Sequence, residues 1–84
     1  MTDTEILHLF KSESGQNAAF NRILEKYQER TYWHIRKLVV LHEDADDISQ
    51  DTFIKVFKNL NKFNEDSNLF TWIYRIATNE SLNF

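Results

Sequence analysis

Asp46-Asp47-Ile48-Ser49-Gln50-Asp51-Thr52-Phe53-Ile54-Lys55 is the stretch that decides the fold. Stepping about 100° per residue from Ile48 places Ala45, Ile48, Thr52, Val56 and Leu60 on one side, a core stripe at helical spacing. The opposite side carries Asp47, Gln50, Asp51 and Lys58 around Ile54. An exposed isoleucine ringed by carboxylates and an amide serves poorly as a solvated face. It suits a small docking patch, with an apolar anchor inside a charged rim that orients a partner and speeds encounter. The partner that fits is a basic, helical protein surface.

Helical periodicity continues on both sides of this segment. Thr2-Asp3-Thr4-Glu5 reads as a capping box opening a short helix through Ile6, Leu7 and Phe10. Gly15 is expected to end it in the left-handed conformation, and Asn17 to cap a long second helix. Phe20, Ile23, Leu24, Tyr27, Thr31, Ile35, Leu38 and Val39 form that helix's stripe. The break near Leu41–Asp44 is short, which predicts antiparallel neighbours, with the third helix running from Asp44 to Leu60. A polar loop, Asn61 to Asn68, carries one large aromatic, Phe63. Ser67 is then expected to cap a last helix that buries Leu69, Ile73, Ile76, Ala77 and Phe84. The pattern predicts one all-α domain over residues 1–84, a compact bundle of about four helices.

Composition agrees with that class. The chain has 84 residues, 42% hydrophobic and 14% aromatic, enough apolar material for one small core. It contains no proline and one glycine, so few positions interrupt a helix. Without cysteine it holds neither disulfides nor thiolate metal sites. The N-terminus lacks a basic, then apolar, leader, and no apolar run reaches membrane-spanning length. The expected location is cytoplasmic. The net charge of −3 would ordinarily disfavour nucleic acid. The charge is segregated, however: Glu43, Asp44, Asp46, Asp47 and Asp51 form a block without one cation, and outside it cations outnumber acids.

On the last helix, Asn68, Trp72, Asn79 and Asn83 lie along one edge with Arg75 beside them. Asparagine is a poor residue inside a helix, because its amide competes for backbone hydrogen bonds. Amides repeated on one ridge suit recognition, since each can donate and accept at the Watson–Crick edge of an unpaired base. Phe63 or Trp72 could stack on that base, and Arg75 could meet a phosphate. Trp72 is equally suited to the core, the commoner place for tryptophan.

Two segments together, Ala45 to Phe53 and Phe70-Thr71-Trp72-Ile73-Tyr74-Arg75-Ile76-Ala77-Thr78-Asn79, with Phe63 between them, resemble region 2 of the bacterial sigma-70 family. Within it they most resemble the extracytoplasmic-function (ECF) group, and Phe20 to Leu41 resembles the preceding helix. The resemblance implies a promoter-recognition and strand-opening domain of a bacterial transcription initiation factor, without catalytic residues or cofactors. It implies docking on the β′ clamp helices of RNA polymerase through Asp47, Gln50, Asp51 and the adjoining Ile54. It also implies capture of a flipped base of the −10 non-template strand by the loop Phe63, Asn64, Ser67 and Asn68. Trp72, Arg75, Asn79 and Asn83 on the last helix would complete that site. In this family an anti-sigma factor commonly masks the same surfaces, which adds a second candidate protein partner.

The chain departs from the family pattern in several places. No helix-turn-helix domain for the −35 element follows, and the basic tail that usually prolongs the last helix is missing. Glu80 adds a negative charge there, and Phe70 stands where many relatives have arginine. Fewer neutralised phosphates mean weaker DNA binding by the isolated domain, and the expectation is a domain fragment of a longer sigma factor, with a natural stand-alone copy as the alternative. The other reading is a helical adaptor that uses the acidic third-helix face alone and binds no nucleic acid. Enzyme readings find little support. Glu5-x-x-His8 lacks the second copy that a di-iron bundle needs, the acids after His42 lack a calcium loop's central glycine, and His34 has no catalytic partner in sequence.

Overall fold

The computed structural model describes all 84 residues. In chain order they form α1 (Asp3–Lys11), α2 (Gln16–Arg36), α3 (His42–Asn59), a single 3₁₀ turn (Leu60–Lys62) and α4 (Leu69–Leu82). The expected all-α bundle is what the chain forms. α2 and α3 are antiparallel: Phe20 meets Phe57 at 5.1 Å between ring centroids, and Tyr32 meets His42 near the other end. α4 runs alongside α2 in the same direction, pairing Tyr27 with Phe70 and His34 with Tyr74.

α1 has only nine residues and would be marginal as an isolated helix. The capping box closes as expected: Thr2 N–H donates to Glu5 Oε1 at 2.8 Å, and Glu5 N–H donates to Thr2 Oγ1 at 3.2 Å. Ile6, Leu7 and Phe10 bury its inner face, and Lys26 and Tyr27 of α2 each donate to Asp3 at 2.7 Å. Burial pushes the Asp3 carboxyl up, but those two donors together with the Lys26 charge outweigh it and hold it below its ordinary value.

The α1–α2 turn corrects two expectations. Gly15 is not left-handed (φ −99°, ψ −1°), and it, rather than Asn17, stands at the N-cap of α2. The end of α1 is held by Ser12, whose N–H and hydroxyl both donate to the Leu9 carbonyl, at 3.1 and 2.7 Å. Glycine is needed at position 15 for a different reason. A Cβ there would lie 2.2 Å from both the Leu9 carbonyl oxygen and the Ser12 hydroxyl.

α2 buries Ala19, Ile23, Tyr27, Thr31 and Ile35. The stripe stops sooner than expected, because the helix ends at Arg36 and leaves Leu38 44% exposed. Arg36 Nη1 donates to the Val40 carbonyl at 2.9 Å and steadies the short turn. α3 therefore begins at His42, ahead of Asp44, with Leu41 at its N-cap. Its stripe is buried as expected and is widened by Ser49 and Phe53. At α4 the cap is Asn68 rather than Ser67, its Oδ1 accepting from the Thr71 N–H at 3.0 Å. Leu69, Ile73 and Ala77 are fully buried and Ile76 is half-buried. Phe84, expected inside, is 63% exposed, because it lies past the end of the helix.

Two aromatic clusters tie the helices together. Phe10, Phe20, Phe53 and Phe57 pack edge to face between α1, α2 and α3. Along the α2–α4 seam, Phe70 stacks on Tyr27 and contacts Tyr74, whose ring lies flat on His34 at 4.4 Å. His34 Nε2 is 2.8 Å from the Thr78 hydroxyl. Burial, and secondarily the Lys37 charge, hold this imidazole below its ordinary pKa.

Two outcomes follow from this packing. Because the backbone at Gly15 is unstrained, Gly15→Ala would stabilise if space allowed. The collision with Leu9 instead predicts a loss on the order of 1–3 kcal/mol, read from urea unfolding by circular dichroism. For His34, a depressed folded pKa means that the unfolded chain takes up the proton first. Stability should therefore fall as pH drops below about 6.5, separately from the more acid window in which Asp3 is protonated. Melting temperatures measured between about pH 7 and 5 should show this slope, and His34→Gln should flatten it.

Candidate docking groove and nucleic-acid pocket

The first surface feature is a groove of about 1160 Å³ between α2 and α3. Its floor is apolar: Phe20 and Leu24 from α2, and Phe53, Ile54 and Phe57 from α3. Gln28, Glu29 and Tyr32 line one side, and Asp46, Gln50 and Lys58 the other. Tyr32 donates to or accepts from His42 Nδ1, and His42 Nε2 lies 3.3 Å from Asp46, so the end nearest the α2–α3 turn is tied shut.

Of the four docking residues expected on α3, Gln50 and Ile54 line this groove, and Ile54 is 50% exposed. Asp47 and Asp51 are exposed on the outer shoulder of the same helix, and neither carboxylate has an ion-pair partner. The groove thus offers an apolar slot with unneutralised acids beside it. The α2 wall escaped the sequence reading. Phe20 and Leu24, expected in the core stripe, recur with Gln28 and Tyr32 every four residues as a second stripe, and that repeat is the signal that could have found it.

The second feature is a pocket of about 490 Å³ where the loop before α4 meets the start of that helix. It gathers Phe63, Asn64, Ser67, Asn68, Trp72 and Arg75, together with Lys62 and Thr71, which the sequence reading did not single out. Phe63 and Trp72 form its apolar wall, with ring centroids 5.0 Å apart and planes inclined at 50°. Trp72 is half-buried, so it serves the core and the pocket at once.

Loop hydrogen bonds fix the pocket's polar groups. Asn64 Oδ1 accepts from the Asp66 N–H at 3.0 Å, and Asn68 Oδ1 is engaged in capping α4. In both residues the amide oxygen is thereby occupied and the NH₂ donors stay free. No carboxylate lines the cavity, while Lys62 and Arg75 do. Glu65 turns away to Lys11 of α1 at 3.1 Å. Glu80 is paired with Lys55 of α3, so the negative charge noted on α4 is largely neutralised.

Asn79 and Asn83 do not line the pocket. They lie on the exposed ridge Thr71–Arg75–Asn79–Asn83, one turn apart, which is about 6 Å at 1.5 Å per residue. Asn68 and Trp72 lie nearer the start of the helix, beside the loop. The edge expected from the sequence is therefore divided along the helix: its first turns, through Arg75, line the pocket, and Asn79 and Asn83 lie beyond it.

Comparison with known proteins agrees with this geometry. The family described as Sigma-70 region 2 matches residues 23–84. The RNA polymerase sigma-H factor of Pseudomonas aeruginosa is 37% identical over 71 residues, which is 84% of this chain and 37% of that protein. The ECF RNA polymerase sigma-E factor of Haemophilus influenzae is 30% identical over all 84 residues, or 43% of its own length. The Escherichia coli sigma-E factor is 35% identical over 72 residues, or 86% of this chain and 37% of that one. The chain thus spans about two fifths of the length of the curated relatives it matches. Among solved structures, an engineered region 2 of sigmaE, determined by NMR in complex with GTAAAA, superposes with a TM-score of 0.85 at 31% identity. That match covers 99% of this chain and 84% of the other. On this family match, these relatives and this fold, the chain belongs to the sigma-70 region 2 family, in its ECF group.

Proposed function

We propose that this domain helps start transcription by docking on RNA polymerase and holding one strand of an opened promoter. The observation that carries the reading is the acid-free pocket of Phe63, Trp72, Lys62 and Arg75, on a fold matching a sigmaE region 2 bound to GTAAAA. A base of the −10 non-template strand enters between loop and helix. Phe63 and Trp72 wall its face, while the free amide NH₂ groups of Asn64 and Asn68 meet its edge. Lys62 and Arg75 lie against the adjoining phosphates. Asn79 and Asn83 face further nucleotides along the ridge. Extrusion costs a few kcal/mol, and base–aromatic stacking returns about 1–3 kcal/mol per base. Holding the flipped state favours the open strand without any covalent chemistry.

Docking falls to a separate surface. The α2–α3 groove accepts an apolar side chain beside Ile54, while Gln50, Asp47 and Asp51 meet the polar and cationic groups of the β′ clamp helices. Charge at the rim mainly speeds association and weakens with salt. An anti-sigma factor covering the groove or the pocket would compete with these partners.

Binding of single-stranded GTAAAA, followed by fluorescence anisotropy, tests the strand reading. Trp72→Ala should weaken binding by about 5- to 150-fold, corresponding to one lost stack. Asn79→Ala should narrow the gap between GTAAAA and a scrambled strand. A folded parent that binds no strand would leave the adaptor reading in place. Docking is read by titrating a purified β′ clamp-helix fragment. Ile54→Ala and Asp51→Ala should each weaken it, with Asp51→Ala also reducing its salt dependence. A parent indifferent to the fragment would remove the polymerase assignment of the groove.

A further inference from the structure

The cations of α2 are not equally free. Arg22, Lys26, Arg30 and His34 recur every four residues along the flank of α2 beside α4, with Lys37 following. At the start of this row, Arg22 lies 3.6 Å from Glu25, and Lys26 is paired with Asp3 at 2.7 Å. Arg30 has no carboxylate partner and donates no hydrogen bond within the chain, although its side chain is far from loose. Its guanidinium lies over the Phe70 ring, 4.8 Å from the centroid.

Phe70 is itself immobilised. It stacks on Tyr27 at 5.0 Å and 16°, and abuts Tyr74 at 4.0 Å. Tyr74 is backed by His34, and its hydroxyl donates to the Arg30 carbonyl at 3.4 Å. The ring beneath the guanidinium is thus fixed from both sides. A guanidinium lying on a fixed aromatic face has already lost much of its freedom, and its N–H edge remains open to solvent. Such an edge fits two oxygens of one phosphate.

Position completes the argument. Phe70 precedes Thr71, the first residue of the exposed α4 ridge, and lies on the flank away from Trp72. A strand on that ridge with a base turned toward Phe63 and Trp72 has its backbone turned toward α2. The cation missing at position 70 itself is present above its ring.

We propose that Arg30, seated on Phe70, is a backbone-phosphate anchor for the bound single strand, supplied by α2 rather than by the recognition helix. The proposal rests on the strand-binding reading above and deepens it. A phosphate contact carries no sequence information. Arg30 therefore sets affinity and register, while the pocket and the asparagine ridge set preference.

The test titrates the folded chain with GTAAAA and with an oligothymidylate of the same length, across a series of salt concentrations. Arg30→Gln should weaken both strands by the same factor, about tenfold for one charged hydrogen-bonded contact. It should also lower the slope of log affinity against log salt by about 0.7, the value for one phosphate on a single strand. Arg30→Lys should keep the slope while losing part of the affinity. Phe70→Leu should keep the slope and weaken binding, because the cation remains but is no longer seated. Melting curves separate this role from a structural one, since Arg30→Gln should leave the melting temperature nearly unchanged. If the parent binds and Arg30→Gln keeps the full slope, the anchor is wrong while the strand reading survives. If the folded parent binds neither strand, both fall.

Discussion

Burial of one face of α2 is the constraint on which everything else depends. Ala19, Ile23, Thr31 and Ile35 are wholly removed from solvent, and α1, α3 and α4 all pack against this one helix. In a chain this small, a single core must supply nearly all the driving force, so α2 cannot shift without moving the other three helices. Its length is what makes the arrangement possible. The inner stripe drifts around the axis over 21 residues, so the helix meets α1 and Phe57 near its start and α3, Tyr74 and Thr78 near its end. The cost is visible at Thr31, whose hydroxyl is buried without a partner.

The two flanks of α2 then define two chemically distinct surfaces. Toward α3 the helix presents Phe20, Leu24, Gln28 and Tyr32, and the groove formed there is apolar with acids around it. Toward α4 it presents Arg30 and His34 over an aromatic seam, with Arg30 the cation left without a carboxylate partner. A net charge of −3 is thus an average over unlike surfaces, one carrying the unpaired acids of α3 and one carrying the unpaired Arg30.

Small contacts make the loop before α4 a fixed object. Asn64 and Asn68 spend their amide oxygens on backbone N–H groups, Glu65 reaches Lys11, and Phe63 leans on Trp72. A loop held in this way exposes to the pocket a fixed set of donors and no carboxylate. Exposed ion pairs such as Lys11–Glu65 contribute little alone. Their effect here is to turn a negative charge away from the pocket.

The sequence by itself determined the helix count, the identity of the core stripes and the chemistry of each candidate surface. Periodicity of three and four records which side chains must leave water, and amides and aromatics keep their hydrogen-bonding and stacking capacity wherever they are placed. Local chemistry also fixed the α1 capping box, which closes within four residues. The tertiary structure alone decided the rest. Gly15 was misread because its need for a bare Cα arises from the Leu9 carbonyl rather than from its own backbone angles. Asn68 displaced Ser67 as a cap because the loop's own turn sets where the helix begins. Lys62 and Thr71 became visible as pocket residues only once separate segments met. Asn79 and Asn83 parted from the pocket because a rise of about 1.5 Å per residue carries them about 10 Å and more along the helix beyond Trp72. Arg30 shows the division most clearly: its sequence neighbours suggest only a solvated helix face, and its seat on Phe70, 40 positions away in the chain, exists only because α2 and α4 lie side by side.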